Sequence, residues 1–140
     1  MKRRGLIPVA LLLLVAGGSC HTIGISRSSG GYSDVAPTVA AEMMLDSSQV
    51  VVLDVRPTAE YRGPDGHIAG SLNAPFDSIE RQLPELLPYQ NQTVLVYGDT
   101  STDGEVAAKL LTVAGFRNVV HIDGGIKGWI ERGYRTVNSQ

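Results

Sequence analysis

Short apolar runs alternate with helix-like segments along most of the chain. Residues 50–53, 93–97 and 119–122 are rich in β-branched side chains and have the length of buried strands. The stretches between and beside these runs have apolar residues at helical spacing or residues typical of a helix start. The candidate helices cover residues 37–45, 77–87, a longer stretch from 104 to 114, and 126–130. This alternation predicts a three-layer α/β fold with a central parallel sheet and helices on both faces.

Turn and capping residues predict where two of these helices begin. Asp77 with Glu80, and Thr102 with Glu105, have the spacing of a capping box. We therefore expect one helix to start at Asp77 and the longer one to be capped by Thr102. Residues 60–74 are rich in glycine and predict an irregular segment.

The longer helix has a predicted apolar side. Val106, Leu110 and Val113 recur at helical spacing, and Ala107 and Leu111 lie beside them. This stripe is expected to face the sheet.

The first 20 residues have the pattern of an export signal. Basic residues 2–4 precede an apolar stretch at 6–16, which is followed by the small residues 17–19. The apolar stretch is too short to be interpreted first as a transmembrane span. Cys20 comes next and is the only cysteine, so the chain can form neither an internal disulfide nor a zinc cluster.

The position of Cys20 resembles the lipobox of bacterial lipoproteins. The resemblance implies that residues 1–19 are a signal peptide and that Cys20 carries palmitate-type acyl chains, which anchor the exported protein in the cell envelope. His21 in place of Asp favours the outer membrane if the source has one. Gly17 stands where lipoproteins usually have an aliphatic residue, so an ordinary secretory signal, giving a soluble periplasmic or secreted protein, stays open.

Composition defines the remaining domains and excludes one class of partner. Residues 20–34 are rich in Ser and Gly and predict a flexible linker, followed by a folded domain at 35–137 and a tail at 138–140. A hydrophobic fraction of 43% is typical of a globular chain. The net charge of −2 and the lack of a basic stripe argue against a nucleic-acid partner. The expected partners are the membrane, through Cys20, and an unidentified envelope protein.

One loop at the carboxyl end of a predicted strand is the candidate ligand site. In open α/β sheets, ligands bind beyond this end of the strands. The amides of the loop that follows residues 93–97, together with the start of the next helix, would face a common centre, which is a geometry that binds anions. The loop residues are Gly98, Asp99, Thr100, Ser101, Thr102, Asp103 and Gly104, with the helix expected from Gly104.

Three motifs, in order and spacing, resemble those of the rhodanese-like domain family over residues 35–137. Residues 53–56 (Leu-Asp-Val-Arg) resemble its first signature, and residues 66–71 resemble its Gly-His-Ile-Pro-Gly-Ala segment. Residues 123–125 (Asp-Gly-Gly), followed by Trp129, resemble its last signature. The resemblance implies structural roles for Asp54, Arg56, His67, Gly124, Gly125 and Trp129.

The resemblance also implies that the catalytic cysteine is absent. The family has a persulfide-carrying cysteine directly after the Val-Tyr of this strand, often with Arg five residues later and Ser six later. Here these positions hold Gly98, Asp103 and Gly104. Sulfur transfer needs a thiolate, so no catalytic residue is expected. No cofactor is expected, and Asp99 and Asp103 are too small a ligand set to predict a metal site. Asp99 and Asp103 are expected to occupy the loop amides as internal anions and to repel an anionic ligand.

These observations favour a catalytically inactive rhodanese-like domain that acts as a binding or scaffold module at the bacterial cell envelope. Two enzyme functions stay open: a sulfurtransferase that uses a thiol from a partner, and a hydrolase that uses the hydroxyls of Thr100 or Ser101. A purely structural domain is the third alternative, because fold alone does not determine function.

Overall fold

The computed structural model describes residues 24–46 and 48–138. The predicted signal peptide and Cys20 lie outside these residues. No helix in the described ranges has the length and apolar character needed to cross a membrane. The elements, in chain order, are β1 (Ile25–Arg27), β2 (Ser33–Val35), α1 (Pro37–Asp46), β3 (Val50–Asp54), α2 (Thr58–Tyr61), β4 (Leu72–Asn73), α3 (Ile79–Leu86), β5 (Thr93–Tyr97), α4 (Ser101–Val113), β6 (Asn118–Ile122) and α5 (Gly125–Glu131).

A mostly parallel sheet forms the centre of the molecule. Its strand order is β1-β2-β6-β5-β3-β4, and only the β1–β2 pair is antiparallel. The three strands predicted from apolar runs are the three adjacent strands β3, β5 and β6. Both faces of such strands are covered, which explains why they are continuously apolar rather than alternating.

Helices cover both faces of the sheet, as predicted. On one face, α1 and α5 pack against strand residues such as Leu95 and Ile122, and Trp129 belongs to this core. On the other, α3 and α4 pack against residues such as Val94 and Val96. The predicted α/β class with helices on both faces is therefore confirmed.

The prediction that residues 20–34 are a flexible linker is wrong for the part that the structure describes. β1 and β2 form a hairpin, and β2 adds to the edge of the sheet by pairing with β6. Tyr32, in the turn of this hairpin, is 5% exposed and belongs to the core beside α4. Strands of three residues are too short to show a period in the sequence, and the Ser/Gly-rich turn dominated the composition.

The predicted helix starts and one predicted face are also corrected. A 3-10 turn at Phe76–Ser78 precedes α3, which begins at Ile79 rather than Asp77. α4 begins at Ser101, so Thr102 lies inside its first turn and is not the cap. Val106 and Val113 of the predicted stripe are exposed, with Val113 89% exposed, whereas Leu110 is half-buried and Leu111 is fully buried. The short α2 and β4 interrupt the segment predicted to be irregular.

Candidate functional site

The candidate loop between β5 and α4 is shorter than predicted. Only residues 98–100 lie outside regular structure, because the helix begins at Ser101. The Gly98 carbonyl accepts a hydrogen bond from the Ile126 amide (2.9 Å), and the Asp99 carbonyl accepts one from the Lys127 amide (3.3 Å). These two hydrogen bonds therefore hold the loop against the first turn of α5.

Gly98 is buried at the start of the loop, in a space that barely admits a side chain. A Cβ atom at this position would lie 3.0 Å from the Cβ of Asp103 and 3.1 Å from the amide nitrogen of Gly104. Both distances are tighter than ordinary carbon contacts. The backbone of Gly98 does not have a positive φ, so packing rather than backbone strain is the obstacle.

Gly104 has even less room, because a histidine lies directly against it. A Cβ atom at Gly104 would be 2.7 Å from Cδ2 and 2.8 Å from Nε2 of His121. His121 is fully buried, and its Nδ1 lies 2.8 Å from Oδ1 of Asp34. Nε2 has no hydrogen-bond partner in the described structure. The resemblance places a serine at this loop position, and the imidazole ring occupies the space that such a side chain would need.

The Asp34–His121 pair was not found from the sequence, in which His121 showed no partner. The parallel pairing of β2 with β6 places the two residues opposite one another, on the same face of the sheet. Since 87 residues separate them in the chain, only the strand register could have revealed the contact.

The acidic residues of the loop do not bind the loop amides, which corrects the expectation. The Asp99 carboxylate forms an ion pair with the ammonium of Lys127 on α5. This hydrogen bond and the charge of Asp99 raise the pKa of Lys127. Asp103 is exposed on the first turn of α4 and lines a small hollow of about 120 Å³ together with Asp77 and Phe76.

The hydroxyl groups of the loop are either structural or exposed. Ser101 donates a hydrogen bond to Oδ1 of Asp123 (2.6 Å) and accepts one from the Gly124 amide (2.9 Å). It therefore joins the start of α4 to the turn before α5. Thr100 is exposed at the N-cap position of α4 and makes no side-chain cap, and Thr102 is also exposed.

Two glycines let the last turn approach the loop. Gly124 and Gly125 have φ values of +79° and +59°, which favour glycine. A Cβ atom at Gly125 would lie 2.5 Å from the Gly98 carbonyl oxygen and 2.7 Å from that of Thr100. Trp129, one turn further along α5, is 5% exposed and donates its indole N–H to the Arg135 carbonyl (3.0 Å).

A buried ion pair lies at the carboxyl end of β3, beside the loop. Asp54 is fully buried and Arg56 is 2% exposed, and Nη2 of Arg56 lies 2.6 Å from Oδ2 of Asp54. Nη2 also donates to the Gly66 carbonyl (2.7 Å). Removing either partner would leave an uncompensated buried charge, so the pair fixes the segment after β3.

Tyr97, the last residue of β5, connects this region to the Gly-rich segment. Its hydroxyl accepts a hydrogen bond from the Ile68 amide (3.0 Å) and lies 3.2 Å from the Ser71 hydroxyl. Burial raises the pKa of Tyr97 far above its ordinary value. His67 is 6% exposed and stacks on Tyr61, with 3.7 Å between the ring centroids. Its Nδ1 lies 3.0 Å from the Tyr61 carbonyl oxygen.

A cleft of about 340 Å³ opens beside the loop, between the residues that follow β3 and the start of α5. Its charged lining residues are Arg56, Glu60, Asp65, Asp99 and Lys127. Within residues 24–46 and 48–138, no group of three or more His, Cys, Asp or Glu side chains could hold a metal ion.

Comparison with known proteins places these features in a family. The model of the rhodanese-like domain matches residues 36–132. A protein of Synechococcus elongatus, provisionally named as a thiosulfate sulfurtransferase, is 33% identical over 145 residues, which cover 89% of this chain and 44% of the relative. The tRNA uridine(34) hydroxylase of Cronobacter sakazakii is 33% identical over 110 residues, which cover 74% of this chain and 31% of the relative.

Solved structures agree with the family match. The crystal structure of a rhodanese-related protein from Thermoplasma volcanium has a TM-score of 0.67 and 27% identity, covering 76% of this chain and 98% of that chain. The chain spans less than half the length of either sequence relative described above. The matched residues contain every element from α1 to α5, including strands β3 to β6, and the chain belongs to the rhodanese-like domain family.

Proposed function

We propose that this rhodanese-like domain performs no sulfur transfer of its own and serves as a binding module at the bacterial cell envelope. The observation that carries the proposal is Gly98, which stands where the family resemblance places the sulfur-carrying cysteine. The only thiol of the chain belongs to Cys20, in the predicted anchor. A persulfide requires a thiolate at the site, and a hydroxyl group cannot replace it.

The packing around the loop supports the same proposal. Gly98 and Gly104 both lie against neighbours that leave little or no space for the cysteine and serine of the family pattern. His121 and Asp103 supply most of these contacts. A loop packed in this way has no room for a sulfur-carrying side chain, which favours recognition over group transfer.

The anchor is the second part of the proposal. Acylation of Cys20 would hold the domain at the membrane surface, because two or more acyl chains give stable attachment. The folded domain begins at β1, only a few residues after Cys20, so the domain would lie close to that surface.

The direct test is sulfur transfer from thiosulfate to cyanide by the purified full-length protein, in detergent and after treatment with a reductant and a chelator. A cysteine-containing member of the family is the positive control, and Cys20→Ala is the matched variant. We expect wild type and variant to give the same background rate. Turnover above background in wild type would overturn the proposal, and its loss in Cys20→Ala would assign the reaction to Cys20.

The second candidate function is a sulfurtransferase that receives its thiol from a partner. The name of the Synechococcus relative favours it. Adding membrane extract to the assay distinguishes the two candidates, because a partner-supplied thiol predicts turnover only when extract and domain are combined. Capture of binding proteins from the same extract, with the domain as bait, would identify the partner under either candidate.

A further inference from the structure

The cleft beside the loop carries more negative charge than its own cations neutralise. Arg56 is compensated by the buried Asp54 behind the wall of the cleft, and Lys127 is paired with Asp99. Glu60 and Asp65 also line the cleft, and neither forms an ion pair with any described residue. The cleft therefore presents two carboxylates to solvent that form no ion pair with a described residue.

The chain already places an ammonium group next to these carboxylates. Lys127 extends from the first turn of α5 to Asp99, and the hydrogen bond and charge of Asp99 are the main causes that raise its pKa. The negative charges of Asp65 and Glu60 act in the same direction. A second cation that entered the cleft would also be attracted by Glu60 and Asp65, with Lys127 and Arg56 opposing part of this attraction.

One wall of the cleft also offers a hydrogen-bond donor. Arg56 is 2% exposed, and its Nε and Nη2 donate to Asp54 and Gly66. Nη1 makes no well-aligned hydrogen bond to a described residue, and the guanidinium also interacts with the hydroxyl of Tyr97. Nη1 is in contact with solvent. Among the described residues, the only fully enclosed side-chain polar atom without a partner is Nε2 of His121. A buried guanidinium with one open N–H group, on a residue that lines the cleft, is suited to an uncharged oxygen acceptor of a ligand.

The size of the cleft limits what can satisfy both features. About 340 Å³ lies at the lower end of the range for ligand pockets. A ligand must then combine a cation with a carbonyl oxygen over a short distance. A lysine or arginine residue within a peptide has this combination, since its own main chain supplies the carbonyl.

We propose that the cleft binds the side chain of a lysine or arginine in an extended segment of a partner protein. Glu60 and Asp65 contact the cationic group, and Nη1 of Arg56 donates to the main-chain carbonyl. This inference rests on the proposed binding function and specifies the partner of that site.

The test is an NMR titration of the full-length, ¹⁵N-labelled protein in detergent at low salt, with acetyl-Gly-Lys-Gly-amide as the probe. The same peptide with Gln in place of Lys is the neutral control. We expect the lysine peptide to shift amides of residues 59–65 and to bind about five- to tenfold more tightly than the glutamine peptide. Binding should weaken as salt is added, because the carboxylates are exposed. Equal binding of the two peptides would overturn the proposal.

Variants locate the effect. Glu60→Gln with Asp65→Asn should reduce affinity for the lysine peptide to about that for the glutamine peptide. Glu85→Gln with Glu131→Gln removes the same charge from exposed positions outside the cleft and should change affinity less than about twofold. Equal losses in both double variants would show a non-specific charge effect and overturn the site.

The contribution of Arg56 is tested from the ligand side, which avoids disturbing a buried pair. Butylamine has the cation without the carbonyl and should bind more weakly than the lysine peptide, and free lysine should not exceed the peptide. If butylamine binds as tightly as the peptide, the carbonyl contact is excluded. If free lysine binds more tightly than the peptide, the ligand of the cleft is a small molecule and the proposal of a peptide partner is overturned. Sulfur transfer is measured separately, so its detection would remove the proposed function even if the peptide binds.

Discussion

Replacing Gly98 by cysteine puts a thiol where the family resemblance places one and tests the loop packing directly. The new Cβ would lie 3.0 Å from the Cβ of Asp103 and 3.1 Å from the Gly104 amide nitrogen. Ordinary contact begins at 3.4 Å, so the neighbours must move by a few tenths of an ångström. They lie at the start of α4, whose inner side is held by the fully buried Ala107 and Leu111. The helix therefore resists the movement.

The expected cost follows from two opposing effects. Overpacking of a buried site costs about 1–3 kcal/mol. Replacing a glycine at a compatible φ reduces the entropy of the unfolded chain and offsets about 0.4–1 kcal/mol. The Gly98→Cys variant should thus lose about 0.5–2 kcal/mol in its free energy of unfolding. Gly98→Ala should lose about as much, because it adds the same Cβ.

Urea unfolding followed by the fluorescence of Trp129, the single tryptophan, measures this loss. All variants carry Cys20→Ala, so that the only thiol is the new one. Gly24→Ala is the matched control, because a Cβ there would meet no atom of the described residues within 4 Å. If Gly98→Cys and Gly98→Ala are as stable as the parent, the packing argument is wrong.

The same variant tests the electrostatic part of the argument. The resemblance places an arginine where this chain has Asp103, and nearby carboxylates disfavour a thiolate. We therefore expect no thiosulfate:cyanide turnover above that of Gly98→Ala, and slow alkylation by iodoacetamide at neutral pH. Family-like turnover from this single substitution would refute the reasoning.

Three further predictions concern other parts of the chain. Gly104→Ala should lower the free energy of unfolding by about 1–3 kcal/mol, because its Cβ would lie 2.7 Å from His121. Adding His121→Val should recover most of this loss, and simply additive losses would contradict the contact. Tyr97→Phe should cost about 1–3 kcal/mol by leaving the buried Ile68 amide without an acceptor. Burial raises the pKa of Tyr97 above its ordinary value of 10.0. Wild type should therefore lose stability relative to this variant as the pH rises above 10, by up to about 1.4 kcal/mol per pH unit. Urea melts from pH 8 to 11 would exclude this if the free energies of unfolding of the two proteins changed in parallel with pH. A palmitate analogue should label wild type and not Cys20→Ala, and the variant should leave the membrane fraction; equal membrane association of both would favour another mode of attachment or an ordinary secretory signal.

The parallel core could be predicted from the sequence because its signals are local. A run such as Thr93–Tyr97 is apolar and β-branched wherever it lies, and its strand bounds agree with the prediction. The end of α4 was equally accessible, since Gly115 has a φ of +93° and marks the point where the helix stops. The position of Gly98 after the strand followed from counting residues.

Helix starts were less predictable, although the residues suited them. Thr102 has capping-box spacing with Glu105, but α4 begins at Ser101 rather than at Gly104. Thr100 occupies the N-cap position without a side-chain cap, and the hydroxyl of Ser101, the first helical residue, bonds to Asp123 and Gly124 across the loop. A tertiary contact thus competes with a local one, and the spacing in the sequence cannot show which is formed.

The sequence by itself determined which segments could form buried strands, where the glycines replace side chains in the loop, and that the only cysteine lies outside the domain. The tertiary structure alone decided that the Ser/Gly-rich residues after Cys20 include a hairpin, that Asp34 meets His121, and that Asp99 pairs with Lys127 rather than with the loop amides. The physical reason is the range of the interactions. Burial and backbone preference act on a residue and its neighbours, whereas strand register and ion pairing depend on residues that folding brings together from distant parts of the chain.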